Sequence, residues 1–422
     1  MLKFSIITFG CQMNEYDSKL IENLLIHDGM VKASDPETAE VVILNTCSVR
    51  EKPEKKAIET AKYFKKRGKF VILTGCTAQQ KGEELLEVSD AVVGTRNFSL
   101  IPEIVKKKIT NSAFLDLKKV CTFNYLGRSI SKVLEYVVIQ EGCDNFCTYC
   151  VVPYTRGREY SRSPEEILSE LRYLEDQGVR EVTLLGQNVN SYFYKGMDFA
   201  DLLSLIDAEI NIPRIYFTTS HPRDMSKKVI RTVKGARVLK PWFHLPLQSG
   251  STRVLKDMNR NYTKEEFISL CEYIRSEIPE ASITTDIMVG FPTETEEDFL
   301  DTIDVVEKVK FDNAFMFIYS PRNPSAAYVK FKGKILSESE SNKRLRKLIS
   351  VVNKNILERR KGMLGREYTV LVHGTSRKGR GFSKGKTENN ITVVIRGTFL
   401  EGEFVKVKIV NIKGLTPIGE PV

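Results

Sequence analysis

Three cysteines stand close together in Glu141-Gly142-Cys143-Asp144-Asn145-Phe146-Cys147-Thr148-Tyr149-Cys150, with three and then two residues between them. The apolar run Tyr136-Val137-Val138-Ile139 comes directly before, so the thiolates sit on one short loop at the end of a strand. Four thiolates would complete the protein ligation of a four-iron cluster, whereas three leave one iron free to chelate a small molecule. A zinc knuckle also uses closely spaced cysteines, but it pairs them or adds histidine, and no His lies near this loop. Three merely buried thiols are the other reading. Only the open iron does chemistry.

A second set is spread along the N-terminal part of the chain. Phe4-Ser5-Ile6-Ile7-Thr8-Phe9-Gly10-Cys11, Val41-Val42-Ile43-Leu44-Asn45-Thr46-Cys47 and Phe70-Val71-Ile72-Leu73-Thr74-Gly75-Cys76 each run from an apolar strand into a cysteine. Helical stretches from Asp17 to His27 and from Glu54 to Arg67 separate them, which predicts a parallel, Rossmann-like sheet covered on both faces. Ligands bind such sheets at the carboxyl edge, where Cys11, Cys47 and Cys76 converge. Each can also be a small buried hydrophobe, but recurrence at the same place in three successive strands favours a shared metal site.

The elements that position the loop cysteines begin at Glu135. Candidate strands at 135–141, 181–186, 214–219, 242–247, 282–289 and 313–319 alternate with helices whose starts are signalled by Ser163-Pro164-Glu165-Glu166 and by Thr295 with Asp298. Six rounds rather than eight predict an incomplete (β/α)6 barrel, open at one side to a macromolecule. Its site belongs at the strand ends: Gly186, Gln187 and Asn188 after the second strand, Gln248 and Ser249 after the fourth, and Asp286 in the fifth. Turn chemistry explains the same residue types. Arg156, Arg158 and Arg162 follow the cysteine loop as a candidate phosphate grip, against the default of solvated surface arginines. Residues 106–133, with Cys121, read as a polar connection; Cys121 and Cys271 are structural or incidental, and the histidines, His221 and His244 among them, show no ligand spacing.

An amphipathic helix over 336–361 carries Leu345, Leu348, Ile349, Val352 and Ile356 on one stripe. Beyond Gly362, short strands at Glu367–His373, Ile391–Ile395 and Phe404–Val410 predict a small β-barrel. The loop Ser376–Lys384, with Arg377, Lys378, Arg380 and Phe382, has the basic and aromatic mixture suited to RNA, or to a solvated hairpin.

The loop spacing, with Tyr149 before the third cysteine, resembles the radical S-adenosylmethionine (SAM) enzymes. In them SAM chelates the open iron, the reduced cluster cleaves it to a 5′-deoxyadenosyl radical, and the aromatic at the Tyr149 position lies beside the adenine. Val151-Val152-Pro153-Tyr154-Thr155-Arg156-Gly157-Arg158-Glu159-Tyr160-Ser161-Arg162 looks like the methylthiotransferases, in the branch that modifies adenosine in tRNA. The resemblance implies that Gly10-Cys11-Gln12-Met13-Asn14, Asn45-Thr46-Cys47 and Gly75-Cys76 hold a second four-iron cluster, which carries the inserted sulfur. It also implies roles toward SAM for the three polar strand-end stretches, and a TRAM domain for the tail. The expected organisation is therefore 1–118 methylthiotransferase N-terminal domain, 129–359 radical SAM core and 362–422 TRAM domain, carrying two [4Fe-4S] clusters. The implied reaction places a methylthio group at C2 of N6-isopentenyladenosine beside the tRNA anticodon, with a reductant and a sulfur source as further partners. Departures are confined to Pro292-Thr293-Glu294 and Asn323-Pro324-Ser325, which touch loop geometry. Sister activities on threonylcarbamoyl adenosine or a ribosomal protein are alternatives, as is a non-catalytic iron-sulfur RNA-binding regulator.

Composition agrees with these readings. The chain has 422 residues, 41% hydrophobic, with eight cysteines, which are too few for a disulfide scaffold. No apolar run approaches the roughly 20 residues a membrane helix needs, and the N-terminus reads as a strand rather than a signal. A cytoplasmic monomer is expected. The net charge is +10, and residues 361–422 hold eleven Lys or Arg against five Glu, a bias that permits a polyanionic partner.

Overall fold

The apolar runs of the N-terminal part pair as an all-parallel sheet in a computed structural model that describes residues 1–48, 51–118, 130–331, 333–376, 379 and 381–422. Cys121 and the basic-loop residues Arg377, Lys378 and Arg380 lie outside the described residues. The sheet runs β2 (Val31–Lys32), β1 (Lys3–Thr8), β3 (Val41–Thr46), β4 (Phe70–Gly75), β5 (Ala91–Val93) and β6 (Ser112–Phe114) in that spatial order. Strand residues alternate between two cores. Phe4, Ile43 and Ile72 meet Ile21 and Leu25 of α1 (Gln12–His27) and Ile101 and Ile104 of α4 (Ile101–Lys107). On the other face, Val42, Leu44, Val71 and Leu73 meet Ala61 and Phe64 of α2 (Glu51–Lys66) and Ala78 of α3 (Cys76–Lys81). Burial on both faces is why these strands read as unbroken apolar runs. Truncating Ile43 to Ala here costs about 2–5 kcal/mol. The connection expected over 106–133 is corrected in part: Ser112–Phe114 adds a sixth strand, too short to announce itself by pattern.

The six strands of the central region form an open half-barrel. β7 (Leu134–Val138), β10 (Glu181–Leu185) and β13 (Arg214–Thr218) make one parallel ladder, and β14 (Trp242–His244), β15 (Ser282–Val289) and β16 (Asn313–Ile318) make another. The two meet where Ile215 N donates to Val238 O at 2.9 Å and Lys240 N to Ile215 O at 3.0 Å. Helices α6 (Pro164–Asp176), α7 (Phe199–Glu209), α8 (Lys227–Gly235), α10 (Lys264–Glu277), α11 (Glu296–Val309) and α13 (Glu338–Lys361) contribute to the outer side, where one core gathers Val182, Ile215, Phe243, Ile283, Phe267, Ile303 and Leu348. The expected caps form: Ser163 Oγ accepts from Glu166 N at 3.2 Å, and Thr295 and Asp298 close a capping box. Short elements frame the cysteine loop and its surroundings: β8 (Gln140–Glu141) pairs with β9 (Tyr160–Ser161) around α5 (Val152–Thr155), β11 (Phe193–Tyr194) pairs with β12 (Met197–Asp198), and α9 (Thr252–Asp257) and α12 (Ala326–Lys330) follow β14 and β16.

The open side of the half-barrel is bounded by the N-terminal region. Met13, Tyr16 and Leu20 of α1 pack on Tyr136, Val138 and Leu185, covering the inner face of β7 and β10. Beyond β16, Arg322 Nη1 reaches Glu54 of α2 at 2.8 Å, and Gln80 of α3 donates to Asn323 O.

The tail closes into a five-stranded barrel in the order β17 (Glu367–Thr375), β18 (Phe382–Thr387), β19 (Thr392–Arg396), β21 (Thr416–Pro421), β20 (Phe404–Lys413). It seats on the amino ends of the half-barrel strands: Arg214, 1% exposed, donates to Lys386 O at 2.7 Å and Thr369 O at 2.8 Å, and Tyr216 donates to Glu388 O at 2.8 Å.

Candidate active site: two three-cysteine sets

The loop that carries Cys143, Cys147 and Cys150 is held by its backbone. Gly142 has φ +76°, and a Cβ there would stand 2.1 Å from Arg158 O, so only glycine admits the turn. Its amide donates to Gln187 Oε1 at 2.6 Å. Thr148 N donates to Met258 O at 3.0 Å, Thr148 O accepts from Ala327 N at 2.6 Å, and Asn259 Nδ2 donates to Asn145 O at 2.9 Å. The three sulfurs are free thiols, and burial pushes Cys143 and Cys150 up to about 12. Cys143 and Cys150 therefore lose their protons as a cation binds. Arg260 is buried beside them; its guanidinium donates to Pro246 O at 2.6 Å, Tyr262 OH at 2.9 Å and Tyr149 OH at 3.2 Å, and stands 3.9 Å from Cys147 Sγ. A buried cation that binds phenols and a carbonyl balances anionic sulfur ligands.

The N-terminal set is built at helix starts. Cys11 precedes α1, and Cys76 opens α3. Gly10 lets two of its members close up, since a Cβ there would fall 2.7 Å from Cys47 Cβ. Asn14 ties the segments together: Nδ2 donates to Asn45 Oδ1 at 2.9 Å and to Thr46 O at 3.0 Å, while Oδ1 accepts from Cys11 Sγ at 3.3 Å. A hydrogen bond with Cys47 holds Cys11 down to about 6. The positive end of α1 acts in the same direction. Burial pushes Cys76 up, against the pull of Arg156. Ser48 Oγ and Thr77 Oγ1, next to Cys47 and Cys76, are buried without a partner among the described residues. Thiol donors, an adjacent guanidinium and orphaned hydroxyls fit an anionic iron-sulfur cluster. No group of three His, Cys, Asp or Glu among the described residues closes around a single ion.

Arg156 joins the two sets. It is 2% exposed, its guanidinium meets Asp17 of α1 at 2.5 Å and Glu141 at 3.4 Å, and its charge acts on Cys76 and Cys11. Arg162 is buried as well, at 2.6 Å from Glu170 and 2.7 Å from Val138 O. The expected phosphate grip is corrected for both, because carboxylates and carbonyls occupy their donors. Arg158 is the exposed member, with its side chain 72% accessible beside Asp144.

The strand-end residues divide in the same way. Gly186 brings the backbone against Gln140, whose Oε1 would lie 2.7 Å from a Cβ, and the same Oε1 accepts from Gln187 N at 3.0 Å. Gln187 braces the cysteine loop through Gly142, and Asn188 is spent on Asp224 Oδ2 at 2.8 Å and His221 N at 3.1 Å. Ser249 is fully buried with its hydroxyl accepting from Ser251 N, so it serves the turn rather than the expected ligand. Gln248 stands in the left-handed region at φ +65° with Oε1 buried and unpartnered among the described residues. Ser220 Oγ, His221 Nε2 and Tyr319 OH are orphaned likewise after β13 and β16. Sequence reasoning passed over Ser220, His221, Tyr319 and Arg260; position just past a strand end was the available signal for the first three, whereas Arg260 follows α9 and carried none. Tyr149 packs with Met258, Met288 and Phe291. Asp286 lies on the concave face, 3.6 Å from His244 Nε2. A polar cavity of about 740 Å³ opens beside the loop, lined by Asp144, Asn145, Asn188, Arg223 and Asn259.

Residues 137–306 match the Radical SAM superfamily, residues 3–94 the uncharacterized protein family UPF0004, and residues 361–422 the TRAM domain. The chain is 43% identical to the tRNA-2-methylthio-N(6)-dimethylallyladenosine synthase of Thermotoga petrophila, over 97% of this chain and 95% of that one. It is 40% identical to the synthase of the same name from Fusobacterium nucleatum over the full length of both. Among solved structures, the radical SAM methyltransferase TsrM of Kitasatospora setae superposes with a TM-score of 0.54 at 12% identity, covering 75% of each chain. The cobalamin-dependent SAM radical enzyme OxsB superposes at 0.53 and 10% identity, over 82% of this chain and 56% of its own.

Proposed function

Because the chain belongs to the tRNA-2-methylthio-N(6)-dimethylallyladenosine synthase family, we propose that it inserts a methylthio group at C2 of N6-dimethylallyladenosine in tRNA, using SAM. The observation that carries this is the pair of three-cysteine sets, with Arg156 buried between α1 and the start of the cysteine loop against Asp17 and Glu141. One set on a strand-end loop and one at helix starts is the arrangement a reaction with two separate duties requires. When bound, the two [4Fe-4S] clusters supply SAM cleavage to a carbon radical at the loop and a sulfur carrier at the N-terminal set. Protein acids and bases do not remove the C2 hydrogen at useful rates, so the chain's own residues bind, orient and exclude water. Cys143, Cys147 and Cys150 hold the loop cluster, with Arg260 balancing its charge. Tyr149, Gly186 and Gln248 line the SAM site, and Asp286 is suited to ribose hydroxyls. Gln187 and Asn188 fix the loop and the strand ends that shape it. Cys11, Cys47 and Cys76 hold the second cluster. Arg158 and the basic loop with Arg377, Lys378 and Arg380 contact RNA phosphate. An external reductant and a sulfur source complete the turnover of a cytoplasmic monomer; no helix among the described residues is long and apolar enough to cross a membrane.

The test uses two variants of the reconstituted protein with SAM, reductant, sulfide and dimethylallylated anticodon stem-loop RNA. Cys147→Ala should abolish 5′-deoxyadenosine formation, whereas Cys47→Ala should still form it and yield no methylthio nucleoside. Chromatography and nucleoside mass spectrometry read both. Methylthio product from Cys47→Ala, or wild-type protein that makes none, would sink the reading.

A further inference from the structure

The concave face of β14, β15 and β16 carries side chains that neither cysteine set uses. Along these strands Phe243, Ile283, Ile287, Ala314 and Met316 turn into the helix-side core. The alternate residues form rows on the opposite face. Trp242 Nε1 donates to Thr284 Oγ1 at 2.9 Å, with His244 Nδ1 3.0 Å from the same oxygen; Asp286 lies in register with Phe315, and Met288 with Phe317. Phe315 and Phe317 are 52% and 37% exposed although the reverse of their strand is core. β16 ends its ladder, so the rings are approachable from the side.

The rows connect two interfaces already described. At the upper end Met288 packs in one cluster with Tyr149 of the cysteine loop. At the lower end Trp242 meets Tyr216 edge-on at 5.7 Å, and Tyr216 donates to the tail barrel. The N-terminal region, seated on β7 and on Arg322 past β16, bounds the same cleft. Two solvent-facing phenylalanines inside such a cleft are an apolar surface awaiting an occupant. The occupant must reach the radical site, and an enzyme that reacts at a base atom takes that base out of its stack into a pocket of apolar and aromatic side chains.

We propose that this face receives the flipped substrate adenine, with Phe315 and Phe317 binding its ring and its dimethylallyl group, and that Phe315 gives the enzyme its preference for the alkylated base. The proposal rests on the methylthiotransferase reading and names the specificity pocket of that reaction. His244, 3.6 Å from Asp286, supplies the polar border beside the rings.

The test compares binding of two anticodon stem-loop RNAs, identical except for N6-dimethylallyladenosine or plain adenosine at the target position, to cluster-loaded protein. Wild type should prefer the alkylated RNA. Phe315→Ala should weaken binding of that RNA roughly 10- to 150-fold, the effect of uncovering one apolar side chain's contact with the dimethylallyl group (about 1.5–3 kcal/mol), and shift the plain RNA much less. Leu300→Ala, an exposed apolar residue on α11, should change neither. Iron content and thermal midpoint establish that each variant is folded. Should Phe315→Ala fail that check, Phe315→Gln keeps a long side chain without the apolar surface, and the same loss of preference is expected. A folded, iron-loaded variant with wild-type preference overturns the proposal, as does a wild type that binds both RNAs equally. Methylthio product from the wild type is scored separately: product formed with an unchanged preference refutes the pocket alone, and its absence refutes the reaction on which the pocket rests.

Discussion

Replacing Arg156 by Met tests whether the basic stretch after the cysteine loop grips RNA or locks two regions of the chain. The guanidinium is buried between Asp17 and Glu141, and burial pushes both carboxyls up while Arg156 opposes it. Removing one partner of a buried ion pair costs about 3–5 kcal/mol, because the charge left behind stays desolvated. Here two carboxylates are left, so the upper part of that range applies. The loss should appear in the first urea transition of the protein, since Asp17 belongs to α1 and Arg156 follows the cysteine loop. Asp17→Asn in the Arg156→Met background removes one orphaned charge and should restore part of the stability, which a double-mutant cycle measures. A phosphate contact predicts a different pattern: unchanged stability and a log-log salt slope for RNA binding smaller by about 0.7. A variant that unfolds like wild type, or a second substitution without rescue, would refute the ion-pair lock.

Three further outcomes are expected. Changing Cys11, Cys47 and Cys76 together to Ala should leave about four of about eight irons per chain, as read by iron and sulfide analysis; full retention removes the N-terminal cluster. Replacing Arg377, Lys378 and Arg380 by Ala should lower the RNA salt slope by about 2, measured as affinity across salt concentrations, and equal slopes would assign the grip elsewhere. Substitution is preferable to deleting the tail, because deletion would strip the partners from buried Arg214. His221 is held neutral by burial, with its pKa down to about 2, so the unfolded chain takes a proton that the folded chain refuses. Stability should therefore fall as pH drops below about 6.5, by up to 1.36 kcal/mol per pH unit, and His221→Asn should flatten that limb of an acid titration.

The strands that lead into Cys11, Cys47 and Cys76 and the six half-barrel strands were legible because each is a largely apolar run. Their burial on the helix side is local information, carried by neighbours in sequence. The tail was half legible: β18 holds Gly385, where a Cβ would stand 2.3 Å from Leu371 O, and β21 holds Pro417 and Gly419, so neither shows the alternation of a strand. The fates of Arg156 and Arg162 were hidden for another reason. Asp17 lies 139 positions from Arg156, and whether an arginine is solvated or buried depends on a partner that only the fold brings near. Exposure of Phe315 was equally hidden, since the alternation along β16 distinguishes two faces without saying which one is packed.

The seating of the tail barrel on Arg214 and Tyr216 has a consequence for how a nucleotide is chosen. β15 runs from Ser282, in register with Trp242, to Met288, in the cluster of Tyr149, a span of about 20 Å at roughly 3.3 Å per residue. Buried hydrogen bonds rather than a linker fix the lower end of that span, so an RNA anchored on the barrel meets the radical site at a set reach. Under the proposed function, in which RNA phosphates are held on the barrel, the assembly would work as a calliper, and lengthening the RNA loop by one nucleotide should move the target out of range even when its base is unchanged.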